Sequence, residues 1–405
     1  MRQNLALSFI LMTVLLDAIG IGLIFPVMPD LLTEVTGQTL AEAALWGGVL
    51  ATAFAVMQFL CGPVIGNLSD RFGRRPVLLV SLAVMALDYV LMALAHTVWL
   101  LLIGRIIAGI AAATHSTANA YVADISAPDD RARRFGLIGA AFGAGFVAGP
   151  MLGGLLAGID SRAPFWAAAI LASANLIFGL IVLPESLAPA LRRSFTLRRA
   201  NPLGALAALK RLPGLQALLA VHFLYAVTFT VWPAIWSFYG TAAFGWDAWW
   251  IGISLAIFGL CMAGAQALLV QPMISRLGER QTALFGMLVE ISSYGFYAFV
   301  RSGFWALAFT PFTALGGVTG AALSAMMSRN TPEDQQGELQ GAIASLNALA
   351  TILAPLVMTW IFGMFTHPTA PVFWPGAPFL LSALIMVAAT AVFVGKTRAT
   401  RKAAP

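Results

Sequence analysis

Apolar positions along this chain run together rather than alternate. Nearly uncharged stretches recur at approximately 5–27, 43–65, 77–95, 98–118, 135–157, 164–183, 215–239, 247–270, 281–300, 303–323, 339–363 and 376–394. Each holds about 20 residues, enough for a helix to cross a hydrocarbon core of about 30 Å. Backbone groups in lipid have no water to bond, so a spanning segment is a helix or a closed-barrel strand. Uninterrupted apolar runs exclude barrel strands, which alternate. The pattern therefore predicts an all-α polytopic membrane protein of twelve transmembrane helices, and the short gaps leave no room for a separate soluble domain.

Composition agrees. Of 405 residues, 60% are hydrophobic and 10% charged, with mean hydropathy +0.87, whereas a soluble domain carries about 25% charged residues. All of the 23 Lys and Arg residues except Arg105, Arg162 and Arg301 fall on one side of the expected membrane. These residues set orientation, so both termini are expected in the cytoplasm, which requires an even number of spans. The net charge of +6 is then the topology signal, helped by anionic lipid, and calls for no nucleic acid. Arg2 precedes an apolar run that is too long for a signal peptide and lacks a small-residue cleavage site, so it reads as the first span. Cys61 and Cys261 lie inside helices 2 and 8 and read as small packing residues rather than a disulfide.

The longest polar segment, 184–213, carries Arg192, Arg193, Arg198, Arg199, Lys210 and Arg211 and falls near mid-chain. It divides the chain into an N-terminal six-helix half (1–183), a cytoplasmic linker (184–213) and a C-terminal six-helix half with a cytoplasmic tail (214–405). A degenerate repeat supports the division. Ser69-Asp-Arg-Phe-Gly-Arg-Arg75 has a partner in Ile274-Ser-Arg-Leu-Gly-Glu-Arg280, with Arg71, Gly73 and Arg75 matched by Arg276, Gly278 and Arg280. Two halves of like orientation are parallel repeats, with a binding site expected near the midplane where they meet.

Four ionisable residues lie inside the apolar stretches: Asp17, Asp88, Arg105 and Glu290. An ionised side chain at mid-bilayer costs about 3 kcal/mol even on the lenient insertion scale, so such groups face a wet or paired interior. Three carboxylates and a guanidinium there point to movement of charge, protons first. Desolvation favours the neutral acid while an approaching cation favours ionisation, so proton and cationic substrate can displace one another. Arg105 is a fixed charge expected to pair with Asp17 or Asp88; a purely structural ion pair is the competing reading. Gln58, Ser116, Asn119, Gln266 and Asn347 are candidate orienting groups around a drug-sized cavity, with helix packing as their alternative role.

The loop after helix 2, Gly66-Asn-Leu-Ser-Asp-Arg-Phe-Gly-Arg-Arg75, resembles the signature loop of the major facilitator superfamily. That resemblance implies a cytoplasmic gate of Gly66, Asp70, Arg71, Gly73, Arg74 and Arg75. It makes Asp70 and Arg71 latch residues and Asp124 an ion partner for one of the arginines. Helix 5 ends in Gly145, Gly149-Pro150-x-x-Gly153-Gly154, which resembles the antiporter element of that superfamily, while its bland reading is close helix packing. Leu16-Asp17-Ala-Ile-Gly20-Ile-Gly22, Leu87-Asp88-Tyr89, Gly104-Arg105-Ile-Ile-Ala-Gly109 and Gln335-Gln-Gly-Glu-Leu-Gln-Gly341 narrow the resemblance to tetracycline–proton antiporters over the whole chain. It implies inner-membrane efflux of an antibiotic in exchange for protons by alternating access. The drug would travel as a magnesium chelate, with no protein-bound metal or cofactor, and a monomer would suffice. Two positions depart from the family: its helix 9 aspartate is Glu290 here, and its helix 8 histidine falls at Met262; the helix 7 stretch 222–236 departs as well around Trp232-Pro233, so export of another amphipathic drug or metabolite is the runner-up. His115 and His222, in helices 4 and 7, are the candidates to replace that histidine, though both read first as satisfied interior residues. No enzyme motif competes, neither a Gly-x-Ser-x-Gly turn nor a His-Glu-x-x-His helix nor a phosphate loop.

Overall fold

The structure, a computed structural model, describes residues 2–112, 114–127, 130–196 and 214–402, with side chains from residue 6 onward except at 114, 115, 132 and 396–402. Residues 197–213 of the expected linker lie outside it, and so does the side chain of His115. No strand occurs among the described residues.

Among the described residues, twelve helical segments match the twelve apolar stretches. α1 runs Arg2–Ile24 and, after a 3-10 turn at Phe25–Val27, continues as Met28–Thr36. α2 is Leu40–Phe72, α3 Arg74–Leu94, and α4 comprises Val98–Ala111 and Thr114–Ile125. α5 is Arg131–Ala157 and α6 Ala163–Val182. α7 comprises Gln216–Phe229 and Val231–Phe244, and α8 is Ala248–Leu268, followed by the short loop helix Val270–Leu277. α9 is Glu279–Phe299, α10 Gly303–Ala314 and Val318–Arg329, α11 Gln336–Thr366, and α12 Ala377–Lys402. Among the described residues, 11 spans are long and apolar enough to cross a bilayer. α9 is the segment outside that set, because Glu290 and the adjoining Ser292, Ser293 and Tyr294 dilute its apolar run.

Several helices outrun the apolar stretch that announced them; α2 has 33 residues. Hydropathy marks only the part in hydrocarbon, whereas the helix continues until a breaker stops it. Gly73 stops α2 with φ 109° and ψ 161°, and Gly278 stops the loop helix before α9 with φ 80° and ψ 161°. These are the two glycines matched in the degenerate repeat. Both require a positive φ that only glycine adopts without strain, so the repeat is one of backbone geometry as well as letters. Proline accounts for two of the interruptions. Pro29 and Pro233 cannot donate to the carbonyls of Phe25 and Phe229, and the helices break beside those residues.

The chain forms two compact units. The first comprises Met1–Gln38, Ala53–Pro202 and Asp247–Ala256; the second comprises Thr39–Thr52, Leu203–Trp246 and Ile257–Pro405. In the first, α5 lies directly on α1. A Cβ at Gly149 would sit 2.6 Å from the Ile19 carbonyl oxygen and 2.8 Å from Gly22 Cα, while Gly145 and Gly153 face the Leu15 and Leu23 carbonyls in the same way. The start of α8 also belongs here, with Gly154 against Trp249 and Gly252 against Pro150. Gly139 and Gly143, earlier on α5, face open space. In the second unit, Gly48 packs on the Pro355 carbonyl and the Thr52 hydroxyl donates to the Ile352 carbonyl at 2.9 Å, binding Thr39–Thr52 to α11. Cys61 and Cys261 are free.

Gly149→Val should destabilise the protein by about 1–3 kcal/mol, since backbone rather than a flexible side chain fills the space. Gly139→Val should leave stability nearly unchanged. Thermal unfolding of purified protein in detergent compares the two.

Candidate functional site

In the first unit, Asp88 on α3 is 2% exposed and forms an ion pair with Arg105 on α4. Gly104 makes room for it: a Cβ there would lie 2.7 Å from Asp88 Oδ1. Arg105 also donates to Met92 Sδ at 3.0 Å and lies 5.7 Å from the centre of the Phe54 ring. Arg105 thus pairs with Asp88, one of the two carboxylates offered by the sequence. Asp17 is half-buried on α1, close enough to act electrostatically on the buried Tyr89 hydroxyl, which in turn lies against Gly20.

The other sequence candidates of these helices are scattered. Gln58 is exposed, with its Nε2 donating weakly to the Ala112 carbonyl at 3.4 Å. Ser116 is exposed and Asn119 half-buried on α4.

The loop between α2 and α3 is a network centred on Arg74. Its guanidinium meets Asp70 at 2.6 Å and Asp124 at 3.1 Å, and donates to the Ser69 hydroxyl at 2.9 Å. Arg71 is exposed and lies 5.1 Å over the Phe72 ring. Arg75 donates to the Leu180 carbonyl at 2.9 Å, and Gly66 faces open space. The residue that sequence reasoning missed is Glu185. Its Oε1 accepts from the amides of Arg74 (2.8 Å), Ser186 (3.0 Å) and Leu187 (3.1 Å), and its Oε2 from that of Arg75 (3.3 Å). It thereby closes the exposed start of α3, where amides have no intrahelical partner, and it fills the space over Gly73, which any Cβ would invade. The available signal was an acid standing alone at the head of a strongly basic segment.

In the second unit, Glu290 is 5% exposed at the middle of α9. It borders a narrow crevice walled by Phe229, Trp232, Phe258, Met262, Tyr294 and Thr313. No basic residue shares that wall, and Glu290 Oε2 has no hydrogen-bond partner among the described residues. The 3-10 turn Leu315–Gly317 makes the approach possible: Gly316 faces Glu290 Cγ and Gly317 faces Met262 Sδ. The two positions that depart from the family pattern thus share one wall. Trp232 anchors the aromatic side, 5.8 Å from Phe258, 5.7 Å from Tyr294, 5.1 Å from Tyr297 and 5.0 Å from Phe379 between ring centres. Gln266, one turn beyond Met262, is exposed, and Asn347 on α11 is exposed with its Oδ1 bound to His222. Among the described residues, no group of three or more His, Cys, Asp or Glu side chains is placed to hold a metal ion.

Residues 10–268 and 217–405 match the Major Facilitator Superfamily. The chain belongs to it. A tetracycline resistance protein of class C from Escherichia coli is 43% identical over 95% of this chain and 95% of its own length. A class G counterpart from Vibrio anguillarum is 40% identical over 87% and 89%. Among solved structures, the human organic anion transporter MFSD10 is similar with a TM-score of 0.71 and 26% identity, over 96% of this chain and 99% of that one. The superfamily member is accordingly a multi-pass membrane transporter with a small-molecule substrate. Its fold is the all-helical one expected, and the family resemblance of the motifs extends over the whole chain.

Arg105→Ala would strand Asp88 as a buried unpaired charge and should destabilise the protein by about 3–5 kcal/mol. Adding Asp88→Asn should recover most of that loss, because the stranded charge disappears. Unfolding midpoints of the single and double variants in detergent check both parts.

Proposed function

We propose that this transporter exports tetracycline-type antibiotics in exchange for protons, with the drug carried as a divalent-metal chelate cation. The reading places it in the bacterial inner membrane with both termini cytoplasmic, and has alternating access expose the site to each side in turn. The observation that carries it is Glu290: a buried carboxylate without a cationic neighbour on the wall of an aromatic crevice. Hydrocarbon around such a group favours the neutral acid, and a cationic substrate in the crevice favours the carboxylate. Proton and drug then compete for one position. Trp232, Phe258 and Tyr294 form the aromatic side of that crevice, the apolar kind of wall ligand cavities generally have. Asp88 is paired with Arg105, whereas the wall around Glu290 offers no such counter-charge. Glycine-packed helices and the Arg74 network would hold each unit rigid while access alternates.

A second reading is export of a different amphipathic drug. It is favoured by Met262 and Trp232, which make this crevice more apolar than the family pattern implies.

A susceptibility panel over several drug classes, with and without the gene, tests the substrate: selective protection against tetracyclines is expected, and protection only against other drugs would select the second reading. For the mechanism, Glu290→Asp should keep substantial drug-driven proton movement in inverted vesicles while Glu290→Gln loses it. Asp17→Asn should likewise abolish exchange without loss of protein from the membrane. Wild-type exchange in both neutral variants would remove these residues from coupling.

A further inference from the structure

The second unit buries another titratable group that the exchange described above leaves without a role. His222, on the first part of α7, is 5% exposed. Its Nε2–H donates to Asn347 Oδ1 at 2.9 Å. Since that oxygen only accepts, the neutral ring keeps its single proton on Nε2 and presents a bare lone pair at Nδ1. Nδ1 is buried with no partner among the described residues. Buried polar atoms are normally satisfied, so an orphaned one calls for an explanation. A ring nitrogen in this state is a proton acceptor.

Tyr225 connects this ring to Glu290. Its ring centre lies 6.2 Å from that of His222. Its hydroxyl lies 3.0 Å from where a Cβ would stand on Gly320, one helical turn from Gly316, which faces Glu290 Cγ. The Glu290 charge acts electrostatically on both the Tyr225 and Tyr294 hydroxyls. The other elements packed against α7 add little charge. α12 has no ionisable residue over Ala377–Gly395. α10 has only Arg329, at its end, 3.5 Å from Glu279. α11 has Glu338 in its first turn, more than two turns before Asn347. Among the described residues, Glu290 is therefore the one carboxylate within the buried row formed by His222, Tyr225 and Tyr294.

We propose that His222 is a second proton-binding group of the exchange site, taking its proton on Nδ1 and titrating jointly with Glu290 across Tyr225. The proposal rests on the reading of Glu290 as the exchanging carboxylate. An imidazole is the one side chain whose ordinary charge change falls between about pH 5 and 8. Protons leaving two coupled groups do so with midpoints that belong to the pair. Asn347, exposed and bonded to the opposite ring nitrogen, fixes the tautomer and links the ring to the open face of α11.

The test is nitrogen NMR of the imidazole rings in purified protein, which has four histidines. The His222 signal is identified by its loss in His222→Gln. It should titrate between about pH 5 and 8, and in Glu290→Gln its proton affinity should fall about tenfold, moving the midpoint by about one pH unit. A ring that stays neutral throughout, or a midpoint unmoved by Glu290→Gln, would overturn the proposal. In vesicles, His222→Gln should shift the pH midpoint of exchange, whereas a packing role lowers exchange equally at every pH. Absence of drug–proton exchange in the wild type would count against the proposed function, while the NMR coupling would still decide the role of His222.

Discussion

Glu290 and Asp88 are both carboxylates held in an apolar interior, and the fold treats them in opposite ways. Asp88 receives a guanidinium from the neighbouring helix and a glycine that makes room for it. Glu290 receives aromatic rings, a methionine and two small residues, and no counter-charge on its wall. Burial of an ion in hydrocarbon costs several kcal/mol unless it is paired or neutralised. A paired acid keeps its charge and becomes part of the scaffold. An unpaired one must hold a proton or meet a cation, which is the condition an exchange site requires. The remainder of the structure can be understood as what keeps the second situation stable enough to persist.

Close backbone packing provides much of that support. The stripe Gly145, Gly149 and Gly153 lets α5 touch the carbonyls of α1, and Gly252 does the same for α8 on α5. Without a hydrophobic force between helices in lipid, association depends on such close approach. At the other end of the same unit, Glu185 collects four amides and Arg74 collects two carboxylates, so the loop and the start of α3 are held by charge-assisted bonds rather than by packing. Rigid bodies held in this way can move as wholes, which alternating access demands.

The spans, the residues buried in them and the glycine stripe were legible in the sequence because each depends on local pattern: run length, charge placement, and spacing along one helix. Gly73 and Gly278 were legible as a repeat, and their shared backbone geometry gives the reason. Partner choice was not legible. Whether Arg105 meets Asp17 or Asp88 depends on how α1, α3 and α4 pack, which no spacing encodes. The central role of Arg74 and the function of Glu185 depend on the chain folding back after α6. His222 looked like an ordinary interior residue because the sequence cannot reveal that only one of its nitrogens is satisfied. The adjacency of Met262 and Glu290 likewise arises from two consecutive glycines in a third helix.

The central claim is that proton and drug compete for a buried carboxylate site, and it can be measured without transport. Purified protein in weakly buffered detergent, loaded with protons near neutral pH, is mixed with a tetracycline and magnesium while pH is recorded. The account predicts release of protons on binding, reduced in Glu290→Gln. Tight binding of the drug with no proton released at any pH would contradict it.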